Sequence, residues 1–311
     1  MLLAPLLLAL APLPQAEPLS TAARARELLA ALGPRAAEVR KPFEDPERRR
    51  WRRDPSPRPG VALGDMTEEQ RGRVRALLAT VLSARGLAVV EGILAEQNVL
   101  GEGEEGLGDG FYWFALYGEP GAERWAWRLG GHHVSVHATY AGEALVGLTP
   151  LLLGGEREGE PVERWTGYRL VRPREELARA LVGACDEDEW RRVCLQERAL
   201  GALELSEPTL QPLATADEGL ALAGLRPALA TQLHALIEEH VAALGTPLGV
   251  PTKADLERDA ARVTFAWFGS REPGKAHAYR IRAPGLLIEY VSSGAHIHSL
   301  LRTGADWGDG R

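Results

Sequence analysis

The sequence predicts an α+β fold: two pseudo-repeated units, each helices plus an antiparallel β-meander, forming one compact body. Three observations predict it. Some stretches repeat apolar residues at helical spacing, while others are short, apolar and aromatic in the manner of strands. Helix runs and strand runs follow one another in blocks, which favours antiparallel pairing over a doubly wound parallel sheet. Stretches of the first half also recur in the second.

Residues 2–13 are an apolar run followed by Pro-Gln-Ala16 and Glu17. This pattern predicts a secretory signal over residues 1–16, cleaved near Ala16, although no Lys or Arg precedes the run. Export to a periplasmic or extracellular space is the expectation; the alternative is a cytoplasmic protein with a loose terminus. Pro5, Pro12 and Pro14 and the short length exclude a transmembrane helix, and no later segment approaches ~18 consecutive apolar residues.

Residues 20–40 predict one helix. Arg48–Arg53 is a basic stretch, and Pro55, Pro57, Pro59 and Gly60 make an extended linker. Thr67-Glu-Glu-Gln70 is a capping box that starts a helix through Leu82, with Val74, Leu77, Leu78 and Val81 on one face. A second helix is predicted over 87–99, then a Gly/Glu loop over 101–110. Strands are predicted at 111–117, 125–129, 132–140 and within 144–153. Helices follow at 174–184, 187–201 and 223–244, and strands at 263–268, 277–281 and 286–291. Cys185 and Cys194 are predicted in the helical stretch, either bonded locally in an exported protein or as half-buried thiols.

The repeat sets Gly60-Val-Ala-Leu63 against Gly219-Leu-Ala-Leu222, each before a helix. It sets the aromatic strand 111–118 against 263–269, Trp127-Arg128-Leu129 against Tyr279-Arg280-Ile281, and Val134–His137 against Leu286–Glu289. The chain of 311 residues is long enough for two domains at ~150 residues each. The repeat instead predicts one domain over 20–311, with halves of about 20–172 and 173–311. With 45% apolar residues it builds a real core, and a net charge of −7 argues against a nucleic-acid partner. Two cysteines exclude a disulfide scaffold or a cysteine-rich zinc module.

Two histidine clusters carry the chemistry. Gly130-Gly-His132-His133-Val-Ser-Val-His137 reads as strand, where side chains alternate. His133, Ser135, His137 and Thr139 then share one face, and His132, Val134, Val136 and Ala138 the other. His133 and His137 are ~13 Å apart at ~3.3 Å per residue, too far for one ion unless the strand is irregular. Gly130-Gly131 can supply that irregularity. Ala295-His296-Ile-His298 places two imidazoles on one side of a strand, ~6.6 Å apart by the same rise. That spacing suits chelation of a divalent ion.

Glu289, in an apolar strand, must be paired or functional and is the expected carboxylate ligand. A mixed His/Glu site suits Zn, Fe, Cu or Mn. The structural alternative is a buried bridge from Glu289 to Arg280 or Arg302. Arg128, Arg280 and Arg302, with Trp127 and Tyr279, can line an anion-accepting, aromatic-walled pocket for a small molecule, or belong to a solvated sheet face. Asp306 is a candidate outer partner for an imidazole N–H. His234 and His240, six apart on one helix, share no face. The sequence holds no P-loop, Rossmann fingerprint or Gly-x-Ser-x-Gly elbow, and no evident Ser nucleophile–base pair.

Several motifs form a specific combination: Glu47-Arg48 with Trp51, Gly60 through Met66-Thr67-Glu-Glu-Gln70, and Trp125-x-Trp127-Arg-x-Gly-Gly131-His132-His133. Thr149-Pro150, Phe265-Ala-Trp267, Tyr279-Arg280-Ile281, Glu289-Tyr290 and His296-Ile-His298 with Arg302 and Asp306 complete it. In these the chain, from about residue 22 to 309, resembles the family known as domain of unknown function 3500, whose members are typically bacterial or fungal and often exported. The resemblance implies that His132, His133, Glu289, His296 and His298 belong to the family pattern. It also implies that His137, where Asn is common, is the less typical ligand. It implies no reaction.

Together these residues predict an exported metal-binding protein, extending to a metal-dependent hydrolase or oxidase acting on a small anionic substrate. The alternatives are a non-catalytic binder with a closed coordination shell, or a structural protein with a satisfied His/Arg network. Whether the chain is an enzyme, and its oligomeric state, stay open at this point.

Overall fold

The computed structural model describes residues 19–50, 52, 54–101, 108–156, 166–199, 219–293 and 296–309. The signal-like segment, Trp51 and Ala295 lie outside the described residues.

Helix α1 (Thr21–Leu32) begins at Ser20, whose Oγ accepts from the Ala23 amide. The single helix predicted over 20–40 is cut at Gly33-Pro34. Gly33 turns to a φ of 55°, and proline has no N–H to continue the ladder. A 3-10 turn and the short α2 (Ala36–Val39) follow, then β1 (Arg40–Lys41) and β2 (Val61–Ala62).

Helix α3 (Glu68–Leu78) carries the predicted capping box. Thr67 Oγ1 accepts from the Gln70 amide at 3.3 Å, and Gln70 Oε1 accepts from the Thr67 amide at 2.9 Å. Thr67→Ala is expected to cost about 1 kcal/mol in a urea melt, since it orphans a first-turn donor. An unchanged midpoint would mean that water replaces the cap at no cost.

Helix α4 (Ala84–Gly101) leads to β3 (Trp113–Tyr117), β4 (Trp125–Gly130), β5 (Val134–Ala141), β6 (Ala144–Gly147) and β7 (Leu151–Glu156). The second half holds α5 (Thr166–Gly183), α6 (Glu187–Val193), β8 (Cys194–Gln196), β9 (Leu220–Ala221), α7 (Pro227–Val241) and α8 (Lys253–Arg258). Strands β10 (Thr264–Gly269), β11 (His277–Ala283), β12 (Leu286–Ser292) and β13 (His296–Thr303) close it.

Several boundaries differ from the sequence pattern, among them the helix predicted from 174, which starts at Thr166, and the one predicted through Leu82, which ends at Leu78. The helix predicted over 187–201 ends at Val193, because β8 pairs in parallel with β10 and sheet pairing overrides a weak helical pattern. The helix predicted from 223 starts at Pro227, whose fixed φ suits a first turn. Strand β5 starts at Val134, after the histidine pair. Cys185 and Cys194 are free thiols, and Cys194 stands on β8.

The fold is α+β around one mixed thirteen-stranded sheet. Its order is β1-β3-β4-β5-β7-β13-β12-β11-β10-β8, with β2 on β3, β6 on β5 and β9 on β10. Pairing is antiparallel except β1 with β3 and β8 with β10. The middle of the sheet is the antiparallel pair β7–β13.

Alternation gives the sheet two different faces. One packs Phe114, Leu116, Trp127, Val136, Tyr279 and Tyr290 against α1, α3, α4, α5 and α7 in the main core. Register places Arg128, Ser135, His137, Arg280, Glu289, His298 and Arg302 on the other. There only small apolar groups intervene, such as Leu152, Leu300 and Trp307. No described helix is long and apolar enough to cross a membrane.

Candidate metal centre

Strand β13 carries His296 and His298 on the polar face, because residues two apart on a strand point the same way. Their ring centroids are 6.2 Å apart, in line with the strand rise. His298 stands opposite Gly154 of β7. A Cβ on Gly154 would come within 2.7 Å of His133 Cδ2 and 2.6 Å of the Ile297 carbonyl oxygen. The missing side chain is therefore what lets the His133 ring lie against β13.

His132 and His133 sit in a bend before β5, and here the strand expectation fails. Adjacent strand residues point to opposite faces, yet these two rings stack with centroids 4.0 Å apart and planes 17° apart. The bend closes through the Gly131 amide, which donates to the Val134 carbonyl at 2.7 Å. The His133 amide donates to Tyr112 Oη at 3.3 Å, and the His133 carbonyl accepts from the Gly154 amide at 2.7 Å. Any Cβ on Gly131 would collide with the Tyr112 ring.

The two clusters meet. His296 lies 5.3 Å from His132 and 5.6 Å from His133 between ring centroids, and His298 lies 5.8 and 5.2 Å from them. One ring nitrogen each of His132, His133 and His296 all fall within 4.8 Å of one another. A tetrahedral ion with bonds of about 2.0–2.1 Å needs nitrogens about 3.4 Å apart, inside that limit.

The environment keeps the His132 and His133 imidazoles neutral. Burial pushes the His132 pKa down to about 4, and the His296 and Arg58 charges add to it. His133, fully buried, is held well below the usual histidine range, first by burial and then by His132, His298 and His296. Arg58 is the buried cation beside the bend. Its Nη2 donates to the Arg52, Asp54 and Gly131 carbonyls at 2.9, 2.8 and 3.2 Å, and it stacks over Trp113. Burial lowers its own pKa to about 10.

The remaining candidates are placed as follows. Glu289 is buried and accepts from Arg280 Nε at 2.8 Å and Nη2 at 2.7 Å, so the structure holds it in an ion pair. Asp306 accepts from Arg302 Nε at 2.6 Å, and desolvation raises its pKa. Arg128 Nη1 donates to the Glu47 and Arg50 carbonyls. His137 bonds Ser135 Oγ through Nε2 at 2.9 Å and the Arg48 carbonyl through Nδ1 at 3.2 Å. A carbonyl only accepts, so Nδ1 carries the proton and Nε2 accepts from Ser135.

Tyr279 and Trp127 lie on the helix-covered face, away from His132, His133, His296 and His298. Tyr279 Oη pairs there with His240 Nε2 at 2.8 Å, and His240 Nδ1 with Ser299 Oγ at 3.2 Å. That gives His240 a buried partner which helix spacing did not announce. Gly154 and Arg58 also shape the centre without a sequence signal of their own. A glycine facing a histidine across two strands shows only once register is known.

The family profile for "Protein of unknown function (DUF3500)" matches residues 15–309. The chain belongs to the DUF3500 family. No curated protein and no solved structure matches it. The DUF3500 match takes in His132, His133, Glu289, His296 and His298 alike.

Proposed function

We propose that this DUF3500 chain is a metal-binding protein whose ion is held by His132, His133 and His296, with His298 as the fourth imidazole. One observation supports this above the rest. Two histidine pairs separated by more than half the chain converge, with ring centroids 5.2–5.8 Å apart between the pairs. The depressed pKa values of His132 and His133 add support, since a ligand must offer a lone pair and not a proton. Imidazoles suit zinc, copper or iron. Manganese favours carboxylate, and Glu289 is engaged by Arg280.

Three protein nitrogens leave a coordination position open, as in catalytic sites. On that basis the reaction is a metal-dependent hydrolysis or oxidation of a small anionic substrate. A shell closed by His298 makes the chain a non-catalytic metal binder instead, and the position of His298 in the ring cluster favours keeping this second reading. The N-terminal apolar run supports export.

A duplicated origin for the two halves of one 20–311 domain draws support from the pairing. Strand β1 runs parallel to β3 as β8 does to β10, and β2 pairs with β3 as β9 does with β10. Gly60 and Gly219 take positive φ in matching places, against the Phe114 and Phe265 carbonyls.

Elemental analysis of the full chain, purified without chelator, tests the metal. Stoichiometric zinc, copper or iron is expected in the wild type and its loss in His296→Ala/His298→Ala, with far-UV circular dichroism unchanged. Wild-type protein that neither carries nor takes up any of the three would sink the proposal.

A further inference from the structure

Two arginines on the polar face occupy the same kind of cross-strand position with different outcomes. On β11 and β12, Arg280 stands opposite Glu289, and its Nε and Nη2 both donate to Glu289 Oε1. On β4 and β5, Arg128 stands opposite His137. His137 cannot fill the corresponding edge of Arg128, because both its ring nitrogens are committed to Ser135 and Arg48. Arg128 Nη1 is taken by the Glu47 and Arg50 carbonyls, at 2.5 and 3.0 Å. The Glu47 carboxylate reaches that same Nη1 at 3.9 Å.

Nε and Nη2 of Arg128 have no hydrogen-bond partner among the described residues, although the residue is only 2% exposed. These two N–H groups form one edge of the planar fork, the edge that matches the paired oxygens of a carboxylate. Beside it lies Gly130, where a Cβ would stand at ordinary van der Waals contact, 3.6 Å from Arg128 Nε and 3.6 Å from Arg58 Cδ. Tyr117 Oη, also buried without a partner, belongs to the ring 5.8 Å from the Arg128 guanidinium carbon.

We propose that the Nε/Nη2 edge of Arg128 is a carboxylate-binding subsite. A small organic carboxylate supplies there what Glu289 supplies to Arg280 from inside the fold. The strand that carries Arg128 continues through Gly130-Gly131 into the histidine bend at His132. This deepens the metal-centre reading and rests on it for the ligand's part in a reaction; the binding itself is measured without metal, so each can fail alone. The Glu47–Arg50 segment covers Arg128 through the two carbonyl bonds and must open for entry.

The test uses the full chain stripped by chelator and titrated with malonate or, as the uncharged match, malonamide. Thermal unfolding and the arginine Nε–H resonances are followed. Malonate is expected to raise the melting temperature and shift one Nε–H signal, and malonamide to do neither. His137→Glu places an internal carboxylate opposite Arg128, in the manner of Glu289, and should abolish the malonate response. Arg128→Lys, a point charge without the fork, should weaken it about tenfold or more. Equal responses to both probes, no response to malonate, or a malonate response unchanged in the variants would each overturn the proposal. If His137→Glu fails to fold, the two-probe comparison and Arg128→Lys still decide.

Discussion

Replacing Glu289 by alanine will destabilise the protein by about 3–5 kcal/mol, the cost of leaving a buried partner charge uncompensated. Glu289 is 1% exposed and takes two N–H donors from Arg280, whose side chain is itself only 16% exposed. Without the carboxylate, the guanidinium keeps its charge on a face with little water to solvate it. Glu289→Gln, which retains an acceptor oxygen, should lose less. Glu289→Leu with Arg280→Leu should recover much of the stability, since paired removal eliminates both desolvation costs. Urea unfolding of the four proteins checks this. A Glu289→Ala loss within about 0.5 kcal/mol, the ordinary range for a surface change, would mean that the bridge does not balance a buried charge.

Acid will unfold the protein through its buried histidines. His137 is held neutral, with its pKa pushed down to about 3 by burial and the nearby Arg128 charge. His240 is held well below the usual range by burial and Arg174. In the unfolded chain both titrate near 6.5. Between those values the unfolded state binds more protons, so stability rises with pH there. The stabilisation is therefore complete above about pH 6.5 and is lost as the pH falls toward 3. Each such group removes up to about 1.4 kcal/mol per pH unit inside the window, so two remove several kcal/mol by pH 5. Melts from pH 8 to 4 should show this slope, and His137→Asn should flatten it. A midpoint level from pH 7 to 5 would contradict the neutral burial of His137.

Much of this was readable from residues, and the gaps have physical causes. The His296–His298 spacing was legible because strand rise and alternation fix it. The α3 cap was legible because a capping box is local. The strand pattern misses the bend at His132 and His133, because that bend is set by Gly131 under Tyr112 and by the Gly154 amide, contacts about twenty residues away in sequence. The convergence of the clusters was open to conjecture only, since it depends on β7 being the sole strand between β5 and β13. Glu289 read as paired or functional, and sequence could not choose; register places Arg280 opposite it. The helix predicted over 20–40 is cut at Gly33-Pro34, a local breaker set within a run rich in Ala, Leu and Arg.

The position of β7 between β5 and β13 has a consequence for assembly order. The histidine nitrogens come from chain segments more than half the sequence apart, and they meet only after the central strands have paired. Contacts of such long separation close late, because the loop entropy must be met before they form. An ion captured there would arrive at a finished sheet and clasp its midline, raising the barrier to pulling the halves apart. Loading would then serve as a checkpoint on completed folding, and loss of metal would speed unfolding more than it slowed folding.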